Sequence, residues 1–184
     1  MEASIPTIVL ITGANQGIGF ETAKNLLQHS AKYHVLIGSR DITKGTEAVS
    51  SLETFPIKGT IEAIQIDVTN DTSVDTAAKR VSKDHGRLDV LVNNAGIISQ
   101  NPMARDNLRE VLAVNCVGVL SVTEAFVSLL RKSSAPRIVF VSSSIGSITH
   151  ASNPESLYYR PTADQYRMSK AALNMLMNQY HVRL

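Results

Sequence analysis

The sequence predicts an α/β fold with a doubly wound parallel sheet, and three observations predict it. Short β-branched runs recur at regular intervals, helical patterns fill the gaps, and a glycine-rich turn joins the first run to the first helix. The runs are TIVLIT (7–12), HVLIGS (34–39), IEAIQID (61–67), LDVLVNNA (88–95) and RIVFVSS (137–143). Their near-continuous apolarity is that of strands buried on both faces, as in a parallel sheet. Apolar residues at three-to-four spacing predict helices over 17–29, 43–53, 72–85 and 106–131. In the third, Val74, Ala77, Ala78 and Val81 line one face, with Asp71 or Thr72 as the N-cap. Strands alternating with helices across short connections mean βαβ units with right-handed crossovers.

Composition bounds the function. The 184 residues suit one domain with a real core, and 43% apolar and 18% charged residues are ordinary for a globular protein. The net charge is +2, and the basic residues form no run or stripe, so nucleic acid is not an expected partner. No run approaches the ~18 consecutive apolar residues of a membrane span, and the N-terminal apolar run is too short for a signal-peptide core. The default expectation is a cytoplasmic protein with no membrane partner. The single cysteine, Cys116, excludes an internal disulfide and reads as a small buried filler. The five histidines (29, 34, 85, 150 and 181) show no ligand spacing, so no metal site is expected.

One connection is out of scale: SIGSITHASNPESLYYRP, from Ser144 to about Pro161, joins the fifth strand to the last helix. Long loops without structure of their own are uncommon and often functional.

The turn after the first strand reads TGANQGIG, with Gly13, Gly17 and Gly19 opening into a helix and Asn15, Gln16 and Ile18 between them. Glycine lets backbone approach a pyrophosphate closely, and the helix N-terminus offers free N–H groups and a positive dipole end. The spacing is wider than the common GxGxxG fingerprint. With Thr12 it resembles the TGxxxGxG signature of the short-chain dehydrogenase/reductase family. NNAG at 93–96, a serine pair after the fifth strand, Asp67-Val68 after the third, and YRMSK at 166–170 match further marks of that family in order. The resemblance covers residues 7–184 and implies a Rossmann-like fold with strand order 3-2-1-4-5, an NAD(P) cofactor and a small carbonyl or alcohol substrate.

It also implies residue roles. Asp67 and Val68 would contact the adenine; Asn94, Ala95 and Gly96 would line the adenosine ribose; Asn93 would brace neighbouring strands through its amide. At the end of the second strand stand Arg40 and Asp41, with Lys44 beyond. A guanidinium there accommodates the 2′-phosphate of NADP, whereas an acid would hold the 2′-hydroxyl of NAD. NADP (as NADPH) is the favoured cofactor and NAD the less favoured one, with Asp41 arguing for NAD if it faces the ribose.

Tyr166 and Lys170 lie one helical turn apart on one face. A phenol ionises near ~10 and is a poor acid–base catalyst at neutral pH unless a nearby positive charge favours the phenolate. The resemblance makes Tyr166 the proton donor to a carbonyl oxygen and Lys170 its partner, which also bonds the nicotinamide ribose. Aligned by the family's SSxxG pattern, Ser143 is the hydroxyl that orients the carbonyl; Ser144 is its rival, and Ser142 and Ser144 are expected to bond backbone. Asn115, unfavourable inside a helix by propensity, corresponds to a family asparagine that bends its helix and relays protons through water to the lysine.

Two departures stand out. The Ser143–Tyr166 interval is long, and the extra residues are placed to bring Tyr158, Tyr159 or Arg160 to the pocket rim. With YRMSKAALNML, this is similar to fungal ketoreductases of secondary metabolism, the norsolorinic acid ketoreductase group. Family members also continue after the Tyr/Lys helix with further strands, so the single domain over 1–184 is expected to be incomplete at its C-terminus. Two function classes follow: an NADP-dependent oxidoreductase with Ser143, Tyr166, Lys170 and Asn115 as its catalytic set, or a non-catalytic nucleotide-binding fragment of such an enzyme. The family also suggests homo-oligomers built on helices around 107–130 and 163–182.

Overall fold

A computed structural model describes residues 5–159 and 162–183. Strands β1 (Thr7–Thr12), β2 (Tyr33–Ser39), β3 (Thr60–Gln65), β4 (Val90–Asn93) and β5 (Arg137–Phe140) form one five-stranded sheet in the order β3-β2-β1-β4-β5. The pairs β1–β2, β2–β3 and β1–β4 are all parallel, with Val9 opposite both Val35 and Val90. The helices are α1 (Gly17–His29), α2 (Ile42–Glu53), α3 (Asp71–His85), α4 (Ala104–Leu112), α5 (Val119–Leu130), α6 (Ile148–Ser152) and α7 (Asp164–Arg183). A π-helical stretch, Ala113–Gly118, joins α4 to α5.

The chain divides into two compact units. One runs to Ala95 and adds Ser121–Val139; the other comprises Gly96–Leu120 and the chain from Phe140 onward. The first holds the core of the sheet. Val9, Leu10, Ile11, Val35, Leu36 and Ile37 are each at most 1% exposed, the two-sided burial expected of parallel strands. Each such side chain contributes about 1.5–3 kcal/mol through burial. Leu27 of α1 and Leu52 of α2 close over them.

Several expectations need correction. The N-cap of α3 is Asn70, one residue before the predicted pair; its side chain accepts from Ser73 N at 3.1 Å. Asp71 instead accepts from Ser121 Oγ at 2.6 Å. The segment after β5 is not a bare loop, because it holds a 3-10 turn, Ser144–Gly146, and α6. The continuous helix Ala104–Leu130 has an 18-residue window of mean hydropathy 1.8, enough in length and composition to cross a membrane. Counting consecutive apolar residues missed it. Val111, Val119, Val122, Phe126, Leu129 and Leu130 on it are buried, and 39% of that window is buried in all.

Candidate active site

In the first unit the site begins where β1 ends. Gly13 and Gly17 have φ of 62° and 60°, left-handed values that disfavour any other residue. Nothing lies within 4 Å of the point a Gly17 Cβ would occupy, so the turn is open on that side. Gly19 is tight: a Cβ there would meet Asn94 Nδ2 at 2.5 Å and Ala14 Cα at 2.9 Å. Asn94 Nδ2 donates to Thr12 O (2.8 Å) and Gly13 O (3.1 Å), clamping the turn to the end of β4. Thr12 Oγ1 accepts from Asn94 N and Ala95 N. Asn15 is half-buried, while Gln16, Gly17 and Ile18 are exposed.

Helix α1 starts without a side-chain cap at Gln16 and without an acid in its first turn. In contrast, Asp41 caps α2 by accepting from Thr43 N and Lys44 N, and Asn70 caps α3. The free N–H groups and dipole of α1 therefore point at whatever occupies the open turn. Asp41 is committed to its cap, while the Arg40 side chain is exposed and, among the described residues, makes no ion pair. Asp67, after β3, accepts from Thr69 N and Thr69 Oγ1 through Oδ1, and Val68 behind it is buried. Asn93 reaches a helix and not a neighbouring strand as expected: its Nδ2 donates to Thr123 Oγ1 of α5 at 3.0 Å. Its buried Oδ1 has no partner among the described residues.

In the second unit, α7 carries Tyr166 and Lys170. Lys170 is 4% exposed; its Nζ donates to Val141 O at 2.7 Å and stands 5.6 Å from the centre of the Tyr166 ring. No carboxylate pairs with it among the described residues, and burial holds its ammonium below the usual lysine range, against a small opposing effect of Cys116. Gly146 makes this packing possible. A Cβ on it would stand 2.7 Å from Lys170 Cβ and 2.8 Å from Lys170 C. The 3-10 turn therefore lies flat on α7, and Ser143, its N-cap, sits directly before it, half-buried and with no side-chain bond among the described residues. Ser142, expected to bond backbone, instead donates from its Oγ to a side chain, Asn174 Oδ1 of α7, at 2.6 Å. Ser144 is exposed.

Asn115 is fully buried within the π-helical stretch. Its Oδ1 accepts from Ile97 N (2.8 Å), and its Nδ2 donates to Ile97 O (2.9 Å) and to Ser169 Oγ (2.9 Å). Ser169 Oγ in turn donates to Tyr166 O at 2.7 Å. Sequence reasoning missed Ser169 as the link between Asn115 and the Tyr/Lys helix; its place just before Lys170 was the available signal. Burial pushes the Cys116 thiol up despite Lys170, and its Sγ lies against Ser169 O, consistent with an inert filler. In the long segment, His150 is exposed and packs at a tilt against Tyr158 with ring centroids 5.4 Å apart, and Tyr159 is exposed; Arg160 and Pro161 lie outside the described residues. The fold also brings His34 and His85 together beside Glu62, distant in sequence.

A parallel sheet in this order, with a glycine turn after its first strand and an uncapped helix behind it, is the framework of a dinucleotide-binding enzyme. The short chain dehydrogenase family matches residues 7–184, and the chain belongs to that family. Short-chain dehydrogenase/reductase tropE of Talaromyces stipitatus is 38% identical over 203 residues, covering 100% of this chain and 75% of that protein. Short-chain dehydrogenase anuI of Penicillium roqueforti is 41% identical, covering 96% of this chain and 72% of its own length. The NADPH-bound carbonyl reductase from chicken fatty liver superposes with a TM-score of 0.77 at 30% identity, covering 94% of this chain and 71% of that one. By family the chain is an oxidoreductase whose fold takes a nicotinamide cofactor and whose relatives act on small molecules.

Proposed function

We propose that the protein interconverts a carbonyl and an alcohol with NADP(H), using Tyr166 as the acid and base. The observation that carries this reading is the buried, unpaired Lys170 beside the Tyr166 ring. Burying an ammonium without a carboxylate costs stability. A buried ammonium without a carboxylate, set beside a phenol, supports a catalytic reading over a purely structural one.

The residues present fit the cofactor. The space beside Gly17 and the uncapped N-terminus of α1 suit the pyrophosphate, with Gly13, Asn15, Gln16, Ile18 and Gly19 shaping the turn. Arg40 would take the 2′-phosphate, a reading supported by its exposed side chain and by the use of Asp41 Oδ1 as the cap of α2. Asp67, Val68, Asn94, Ala95 and Gly96 would hold the adenosine half. The bound nicotinamide supplies or accepts the hydride. In reduction, Tyr166 gives its hydroxyl proton to the carbonyl oxygen, so that the oxygen becomes the alcohol. Lys170 stabilises the phenolate left behind, and its two remaining N–H donors are free for a ribose. Ser143, with an uncommitted hydroxyl, orients the carbonyl oxygen. Asn115 positions the Tyr/Lys helix through Ser169. Tyr166 recovers its proton from water.

Stopped-flow and steady-state assays with NADPH and a panel of ketones test this reading. Tyr166→Phe is expected to lower turnover by about 10²–10⁴-fold while leaving NADPH affinity within a small factor. Arg40→Ala is expected to reduce the preference for NADPH over NADH by about 10-fold or more, the loss of one charge-assisted contact. Intact turnover in the phenylalanine variant would remove Tyr166 from the mechanism. NADPH binding by a chain with no turnover on any ketone or alcohol would favour the non-catalytic nucleotide-binding reading.

A further inference from the structure

We propose that His34, Glu62 and His85 form a binding site for a divalent transition-metal ion, Zn²⁺ above all, at the end of the sheet opposite the glycine turn. The three residues come from different elements of the first unit. His34 is near the start of β2, Glu62 lies on the edge strand β3, and His85 ends α3. His34 Nε2 and His85 Nε2 lie 3.2 and 3.0 Å from the same oxygen, Glu62 Oε1, and all three donor atoms fall within 4.8 Å of one another. Zinc at 2.0–2.2 Å from nitrogen and oxygen ligands needs donors roughly 3.3 Å apart, so an ion enters this triangle with small side-chain shifts.

The surrounding bonds orient each ligand. The other ring nitrogen of His34, Nδ1, bonds Thr60 Oγ1 at 2.7 Å, the outer contact that fixes a ligating histidine's tautomer. With a proton on Nδ1 there, Nε2 turns a lone pair toward a carboxylate oxygen that is itself only an acceptor. A cation between the two resolves that contact. Arg80 Nη2 holds the other carboxylate oxygen, Oε2, at 2.5 Å and so aims Oε1 at the histidines. Its guanidinium charge is shared with Asp84, whose Oδ2 is 3.5 Å from Arg80 Nε. The site also lies at the C-terminal turn of α3, the negative end of the helix dipole, where Lys83 and His85 already stand.

Ligand chemistry selects the ion. Two imidazoles and one carboxylate suit zinc, cobalt or nickel and not magnesium or calcium, which prefer all-oxygen sets. The side chains of His34 and His85 are 17% exposed and that of Glu62 31%, so an ion has an entry path and room for a water as its fourth ligand. Bound there, the ion ties the end of α3 to the edge strand and to β2, far in sequence from Tyr166 and Lys170.

Calorimetric titration of the full 184-residue chain with ZnCl₂, MgCl₂ and CaCl₂ tests the site, with thermal unfolding and Co²⁺ visible spectra as independent readouts. Expected are one Zn²⁺ per chain, a higher Tm with Zn²⁺ alone, and the visible band of four-coordinate Co²⁺. His85→Ala and Glu62→Gln should each lose the Tm shift and weaken Zn²⁺ at least tenfold, with NADPH affinity unchanged as the control for folding. Thr60→Val keeps the three ligands and should weaken Zn²⁺ by about 10–100-fold. Absence of stoichiometric Zn²⁺ binding would leave a hydrogen-bonded cluster only and overturn the proposal. Binding unchanged by His85→Ala and Glu62→Gln would place the ion elsewhere and overturn it equally.

Discussion

Gly17 and Gly19 stand two residues apart and are glycine for different reasons. At Gly17 the backbone demands it: φ is 60°, and the space beyond is empty. At Gly19 the neighbours demand it, since Ala14 Cα and Asn94 Nδ2 already occupy the place of a side chain. Gly17→Ala should therefore cost about 1–2 kcal/mol of left-handed strain with no internal clash. Its methyl would project into the space assigned to the phosphates. Gly19→Ala should cost about 1–3 kcal/mol from overpacking and displace the Asn94 clamp. Urea unfolding paired with NADPH fluorescence titration separates the two effects. The expectation is a loss of NADPH affinity of tenfold or more in Gly17→Ala, out of proportion to its modest destabilisation. Unchanged affinity there would mean that the phosphates do not approach this turn.

At the scale of elements, the π-helical stretch Ala113–Gly118 is the least ordinary feature of the second unit. Such stretches are rare and cluster at functional sites. It presents Asn115 so that one amide serves the backbone N–H and C=O of Ile97 and the hydroxyl of Ser169 together. Asn115→Ala strands those groups and should cost about 1–3 kcal/mol per unsatisfied partner, measured by chemical unfolding. It should also lower turnover through the loosened Tyr/Lys helix. Asn115→Asp keeps the acceptor for Ile97 N but buries a carboxylate against Ile97 O, and should cost at least as much as alanine. An alanine variant as stable as the parent would show that water satisfies Ile97 and that the amide is dispensable to the fold. Elements elsewhere were legible where local signals agree. β1 and α1 match the sequence expectation at both ends because an apolar run stops at Thr12 and a glycine turn intervenes. β4 and β5 were read too long because apolarity continues after pairing ends. Asn94 N and Ala95 N turn to Thr12 Oγ1, and Val141 O turns to Lys170. The Tyr/Lys pair, Arg40 and the glycine turn are local patterns and were visible. The approach of Gly146 to Lys170, the Ser169 link and the meeting of His34 with His85 depend on distant segments. No local period announces them.

Across the whole molecule, Asp89 is where distant parts of the first unit converge. Its Oδ2 accepts from Ile8 N of β1 at 2.8 Å; its Oδ1 accepts from Arg87 Nε at 3.0 Å and from Ser133 Oγ, beyond α5. Its own backbone bonds Ile8 O and Arg137 N, while Arg87 also reaches Pro6 O at 2.7 Å. Burial alone would raise the Asp89 carboxyl, but the bonds from Ser133 and Ile8 and the bond and charge of Arg87 outweigh it and hold it below the usual carboxylate range. The sign of the linkage follows: the folded state binds this proton less readily than the unfolded chain. Asp89 therefore contributes stability in full above the unfolded value near ~3.9, and the contribution disappears as pH falls through the lower folded-state value. Asn at this position can still accept from Ile8 N but presents no charge to Arg87. Asp89→Asn should thus cost about 1.5–3 kcal/mol at pH 7, the range for bonds to a charged group. Its deficit against the parent should then shrink as pH is lowered from 5 toward 2. Urea unfolding of both proteins across that range measures it. A deficit constant with pH would mean that the carboxylate's packing, and not its charge, holds β1, β4 and the α5–β5 connection together.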